Sequence, residues 1–230
     1  MATIEVRPPD ASTLRTTKAG HYVGVHRIFC VGQNYAEHVA EMGGDPKKSP
    51  PVFFMKPNSA VVESGATIPF PPATENLHHE VELVVVLKSG GAGIKVSEAL
   101  GHIYGYAVGN DLTRRDIQIV AKSNGSPWDM AKGFDNSAVI GTVHSVAEVG
   151  HPTSGAVKCS VDGKVRQRGN LTQMIWSVPE IIATLSTLVS LQAGDIIMTG
   201  TPAGVGPIGR CQTCLCEIEG LSNASITLKA

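Results

Sequence analysis

His78-His79-Glu80-Val81-Glu82-Leu83-Val84-Val85-Val86-Leu87 carries two carboxylates, one residue apart, into an unbroken apolar run. The run is short and rich in β-branched residues, and Ser89-Gly90-Gly91 follows it closely, so it predicts a buried strand. Successive strand side chains point to opposite faces. Glu80 and Glu82 therefore share a face, at the mouth of a hydrophobic core. Two like charges there are costly unless something positive lies between them. A hard divalent cation meets that need, because Mg²⁺ takes one or a few carboxylates and keeps waters that a substrate can displace. The competing reading is a polar strand entrance with two solvated carboxylates.

Working outward, the 230 residues suffice for one large domain or two small ones and for a sizeable core. Charged residues make up 17% and the net charge is −1, which argues against a nucleic-acid surface or a polybasic membrane patch. The longest apolar runs fall far below the roughly 20 residues that span a bilayer. The start of the chain, 1–20, lacks the apolar centre of a secretory signal. Glu5 and Asp10 argue against a mitochondrial transit peptide. The expectation is a cytoplasmic protein, or a mitochondrial one if the source is eukaryotic.

Five cysteines, Cys30, Cys159, Cys211, Cys214 and Cys216, form an odd set that favours reduced thiols. Cys211, Cys214 and Cys216 make a C-x-x-C-x-C pattern. A zinc site needs four ligands and no second Cys/His pair lies nearby. Thr213–Glu219 alternates as a strand does, which would send Cys214 and Cys216 to one face as small core residues.

Residues 1–23 read as a polar, irregular N-terminal extension, and 24–230 as a single catalytic domain. Strands are expected at Val25–Cys30, Val52–Met55, Glu82–Leu87, Tyr104–Gly109, Ala156–Val161, Asp195–Thr199 and Thr213–Ile218. A short helix is expected from Tyr35 to Met42. A longer one opens at the capping box Ser177-Val-Pro-Glu180 and runs to about Ser190. The 43–51 loop, with its glycines, prolines and two lysines, reads as a hinge or lid boundary. Strands outnumber helices without regular alternation, so the fold class is α+β, mainly β.

Several other positions carry chemistry. Asp111 ends an apolar strand, where a third carboxylate can join Glu80 and Glu82; the competing reading is a turn residue. Thr113 with Asp116 would cap a following helix and set Arg115 and Gln118 on one face. Lys132, in an aromatic-rich stretch beginning at Trp128, reads either as a snorkelling surface lysine or as a point charge offered to a carboxylate or an enolate. The loop Met198–Gly206 lets backbone N–H groups approach an anion, with Thr199 and Thr201 as added donors. His38 and Glu41, three apart on a helix, suit an imidazole base oriented by a carboxylate; the competing reading is a surface helix pair without catalytic duty.

Cys30-Val-Gly-Gln-Asn-Tyr-Ala-Glu-His38, Phe54-Met-Lys-Pro57, His78-His-Glu80-Val-Glu82, Asn110-Asp111-Leu-Thr-Arg-Arg115-Asp-Ile-Gln118, Lys132-Gly-Phe-Asp135 and Thr199-Gly-Thr-Pro-Ala-Gly-Val-Gly206 together resemble the fumarylacetoacetate hydrolase family. They occur in the family's order, from about Arg27 to Ile226. Arg166-Gln167 and Met174–Glu180 strengthen a likeness to its short acylpyruvate- and fumarylpyruvate-cleaving members. The resemblance implies a mixed β-roll, a homodimer, and Mg²⁺ or Mn²⁺ in a cleft, with Ca²⁺ as a substitute in crystals. It implies Glu80, Glu82 and Asp111 as metal ligands, and His38, Glu41 and Lys132 as catalytic groups. It places Arg115, Gln118, Gly200 and Thr201 on the substrate. The implied reaction is hydrolysis of a C–C bond in an acylpyruvate. Oxaloacetate decarboxylation, hydroxymuconate-type isomerisation and non-catalytic keto-acid binding stand as alternatives. The family commonly has Gly-Asp after the Gly/Thr loop; here Gly209 precedes Arg210-Cys211.

Overall fold

The computed structural model describes residue 9, residues 11–41 and residues 50–230, with the side chains of Val39 and Glu41 outside the described set. Most of the 43–51 loop read as a lid boundary also lies outside the described residues.

The apolar run forms the strand Val81–Leu87, buried at every residue. It pairs antiparallel with Ile103–Asp111 on one side and Ile196–Met198 on the other. These three are the centre of a mixed sheet, eight-stranded among the described residues. Ile28–Gly32 and Val52–Lys56 extend it beyond Ile196–Met198, and Ala138–Ile140 and Val61–Glu63 extend it beyond Ile103–Asp111. A second sheet runs Lys164–Asn170, Ala156–Val161, Thr213–Ile218, Ala224–Leu228, Ala66–Ile68. Parallel and antiparallel pairs coexist, and helices are short, the longest being Val178–Leu188. This is the mainly β, mixed-roll architecture expected.

Alternation along Val81–Leu87 assigns the two cores. Leu83, Val85 and Leu87 enter the larger one, with Val157, Cys159, Cys214 and Ile218 from the second sheet. Ile181, Ile182 and Leu185 of Val178–Leu188 close it. Val84 and Val86 enter a smaller core with Ile28, Cys30, Met198 and Leu14. Each such side chain contributes roughly 1.5–3 kcal/mol by burial. Glu80 and Glu82 continue the Val84/Val86 face. Glu82 stands opposite Gly109, where a Cβ would lie 2.5 Å from Val84 Cγ2, so the sheet accepts no side chain there.

Three local expectations are corrected. Part of the stretch read as irregular is ordered: Thr13–Arg15 and Tyr22–Gly24 form a two-stranded ribbon whose Leu14 is buried in the smaller core. The first strand of the sheet begins at Ile28, not Val25; the side chains of His26 and Arg27 just before it bind the buried Asp195. Thr113 and Asp116 do not form the expected cap of Arg115–Asn124, whose N-cap is Arg114. Thr113 Oγ1 donates to the Asp111 carbonyl, and Asp116 accepts from Thr74 Oγ1, Glu75 N–H and Ile117 N–H. The capping box at Ser177 and Glu180 is present as expected. Where the family's Gly-Asp is missing, Gln212 Oε1 closes the turn by accepting from Gly209 N–H at 2.6 Å.

Candidate active site

Glu80 occupies the break between the strands Leu77–His79 and Val81–Leu87. Its N–H donates to Asn110 Oδ1 at 2.9 Å, and its carbonyl accepts from Asp111 N–H at 2.9 Å. That double link brings Asp111, the last residue of Ile103–Asp111, alongside Glu80. Glu82 follows on the same face, and Gly200 N–H donates to its Oε2 at 2.8 Å. Oxygens of Glu80, Glu82 and Asp111 lie within 4.8 Å of one another, and all three residues are buried.

Three buried carboxylates demand positive charge. Lys132 Nζ lies 2.7 Å from Glu80 Oε2 and 2.8 Å from Asp111 Oδ2. Arg115 donates to Glu80 Oε1 and to Gln118 Oε1. Lys56, 1% exposed, brings Nζ within 2.7 Å of Asp111 Oδ1 as a charge contact, while its hydrogen bonds go to the carbonyls of Leu112 and Lys132. Burial alone would raise the Glu80 carboxyl, but Lys132 and Arg115 outweigh it and hold it well below the ordinary range. Burial would lower the Lys132 ammonium, but Asp111 and Glu80 outweigh it and raise its pKa. Glu82 goes the other way: burial, then Asp111 and Glu80, push its carboxyl up. Positive charge is thus short at Glu82, and the donors are all oxygen. That set fits a hard divalent cation, which Glu80, Glu82 and Asp111 would hold.

Above the carboxylates lies a pocket walled by His38, Phe54, Arg115, Gln118, Lys122, Trp128, Lys132 and Thr201. His38, buried at 7% exposure, comes from the helix Ala36–Glu41. Asn34 pins the turn before that helix. Its amide donates to the carbonyls of Thr199 and Trp176 and accepts from Trp176 N–H. The side chain of Glu41 lies outside the described residues, so its pairing with His38 stays an expectation.

Gly200 was expected on the substrate, but its N–H is directed to Glu82. Its φ is +95°, and an added Cβ would sit 2.8 Å from Asn34 Cβ, so both the left-handed backbone and the close approach require glycine. Thr201 does face the pocket. Its hydroxyl accepts from Gln167 Nε2 at 2.8 Å, which leaves the hydroxyl proton to point elsewhere. Gln167 also accepts from Val81 N–H and bonds His79 Nδ1. One glutamine thereby ties the Gly/Thr loop to the strand beside Glu80.

Lys56, Asn110 and Gln167 stand in stretches that carry the family resemblance, but the sequence assigned none of them a role, and Lys122 lies outside those stretches. Lys56 closes the strand Val52–Lys56, one residue beyond the end expected at Met55. The thiols resolve differently from the sequence pattern. Cys211 is exposed, whereas Cys214 and Cys216 are buried beside Cys159, with Sγ–Sγ distances from Cys159 of 3.4 and 3.9 Å. The small-core-residue reading accounts for their burial.

Residues 27–228 match the family model described as fumarylacetoacetate (FAA) hydrolase C-terminal. A mitochondrial oxaloacetate tautomerase of Arabidopsis thaliana is 41% identical, covering 88% of this chain and 91% of that protein. A fumarylpyruvate hydrolase of Ralstonia sp is 43% identical, covering 76% of this chain and 91% of that protein. The crystal structure of fumarylpyruvate hydrolase from Pseudomonas aeruginosa in complex with Mn²⁺ and pyruvate is 42% identical. It matches with a TM-score of 0.95 over 99% of both chains.

Proposed function

The chain belongs to the fumarylacetoacetate hydrolase family, and from that premise we propose that it hydrolyses a C–C bond of an acylpyruvate, fumarylpyruvate by preference, with a divalent cation. The observation that carries this is the convergence of three buried carboxylates, Lys132 and Arg115 beneath a pocket that also holds His38. The likeness to the Mn²⁺- and pyruvate-bound fumarylpyruvate hydrolase supports the substrate class. We take 24–230 as the catalytic domain.

A divalent cation held by Glu80, Glu82 and Asp111 supplies Lewis-acid polarisation of a keto acid's oxygens. His38, assisted by Glu41, removes a proton from water, and the hydroxide equivalent attacks the carbonyl distal to the pyruvyl end. The C–C bond then breaks. Its electron pair passes to the pyruvate fragment as an enolate, and the acyl fragment leaves as a carboxylic acid. The Lys132 ammonium, beside Glu80 and Asp111, would stabilise that enolate charge. Return of the proton from His38 to carbon completes pyruvate. Arg115, Gln118 and Thr201 orient the substrate, and Phe54 and Trp128 restrict water.

The similar identity to an oxaloacetate tautomerase favours a second reading, proton shuttling or decarboxylation on oxaloacetate. Assays of the purified protein with Mg²⁺ or Mn²⁺ against fumarylpyruvate, acetylpyruvate and oxaloacetate separate the two. The hydrolase reading expects release of pyruvate from an acylpyruvate, lost on chelation and in Glu82→Ala. Turnover of oxaloacetate alone would reject it.

A further inference from the structure

We propose that Lys122 is a specificity-determining residue that recognises a second anionic group, a carboxylate at the far end of the keto acid. This assignment rests on the keto-acid reading of the pocket and narrows it to dianionic substrates. Within the helix Arg115–Asn124, Arg115, Gln118 and Lys122 follow one another at spacings of three and four, so they share a face, and all three line the pocket. Arg115 is the inner rung, bonded to Glu80. Lys122 is the outer rung. Seven residues of helical rise set the two about 10 Å apart, the scale of a six- to eight-carbon keto diacid.

Two of the three buried carboxylates have cations in contact. Arg115 and Lys132 meet Glu80, and Lys132 and Lys56 meet Asp111. Lys122, half-buried, has no carboxylate in salt-bridge contact among the described residues. Its Nζ instead lies 5.5 Å from the centroid of the Trp128 ring, which in turn contacts Phe54. That aromatic wall holds the ammonium beside the pocket. Burial, then the Arg115 charge, lower its pKa; Glu80 opposes them and Lys132 adds a smaller repulsion. A distal carboxylate would relieve that repulsion, whereas a distal methyl group would not.

The test compares ligands that differ only there. Calorimetry on protein supplied with Mn²⁺ would measure binding of 2-oxoadipate and of 2-oxohexanoate, in which a methyl replaces the distal carboxylate. Lys122→Met keeps the aliphatic stem over Trp128. It should weaken 2-oxoadipate about 10-fold, the low end for a hydrogen bond to a charged group, and leave 2-oxohexanoate unchanged. Lys122→Arg should restore the difference. In turnover, Lys122→Met should raise KM for fumarylpyruvate and spare acetylpyruvate. Equal weakening of both ligands, no weakening of either, or failure of 2-oxoadipate to bind the wild-type protein would each overturn the assignment. If the wild-type protein turns over no acylpyruvate, the hydrolase reading fails, while the two binding constants still decide Lys122.

Discussion

Lys56 makes the argument at the residue scale. It is a fully buried ammonium whose charge meets Asp111 and whose protons meet two carbonyls. Removing the ammonium strips Asp111 of one of its two cations and leaves two buried carbonyls without their donor. Lys56→Met should therefore cost about 3–5 kcal/mol of stability, measured by urea unfolding. His38 separates the reactions. If it activates water, His38→Gln should lower acylpyruvate hydrolysis by about 10²–10⁴-fold. Oxaloacetate decarboxylation, which needs no activated water, should fall much less. Parallel assays of both activities on wild type and variant check this, and equal losses would make His38 an organising group. The carboxylates were legible because strand alternation is local: Glu80 and Glu82 are two apart, and Asp111 ends its own apolar run. Asn110, Lys56 and Gln167 were not. Their partners lie 30, 76 and 88 positions away in sequence, and an asparagine, lysine or glutamine carries no mark of what it will meet.

At the element scale, short helices are held by their ends. Ser145 and Glu148 form a capping box on Val146–Val149, and Thr17 Oγ1 donates to Glu148 Oε1 at 2.6 Å, tying that helix to the N-terminal segment. The Thr17 and Ser145 hydrogen bonds bring the Glu148 carboxyl down from 4.5 to about 2. A depressed carboxyl contributes stability that is present above its unfolded value and lost as pH falls through the folded one. The difference in stability between wild type and Glu148→Gln should be constant above pH 4.5 and vanish as pH falls toward 2. Denaturation midpoints across that range check it. Capping motifs are legible because they span four residues, and the Ser177–Glu180 box was read correctly. The helix at Arg115 was misread at its start because Asp116 serves the distant Thr74–Glu75 turn instead.

The whole molecule is closed by pairings between distant parts of the chain. Ile28–Gly32 lies parallel to Ile196–Met198, and Ala66–Ile68 parallel to Ala224–Leu228. Periodicity gives strands but not neighbours, so fold class followed from the sequence while strand order did not. Strand alternation placed Cys214 and Cys216 in the core, but not their thiol neighbour Cys159, which lies on the adjacent strand.

The cross-link of Lys132 between Glu80 and Asp111, with Arg115 and Lys56 behind it, bears on the order of assembly. The protein brings its own counter-ions for Glu80 and Asp111, and burial favours the neutral form of Glu82, so the acidic cluster is tolerable before any metal arrives. Folding and loading become separable events: a newly made chain can mature where divalent ions are scarce and acquire one afterwards. Chelator-treated protein should accordingly keep a cooperative thermal transition and regain activity on adding Mg²⁺ or Mn²⁺ alone, without a refolding lag. Calorimetric melts before and after chelation, followed by a timed restart of the assay, would show it.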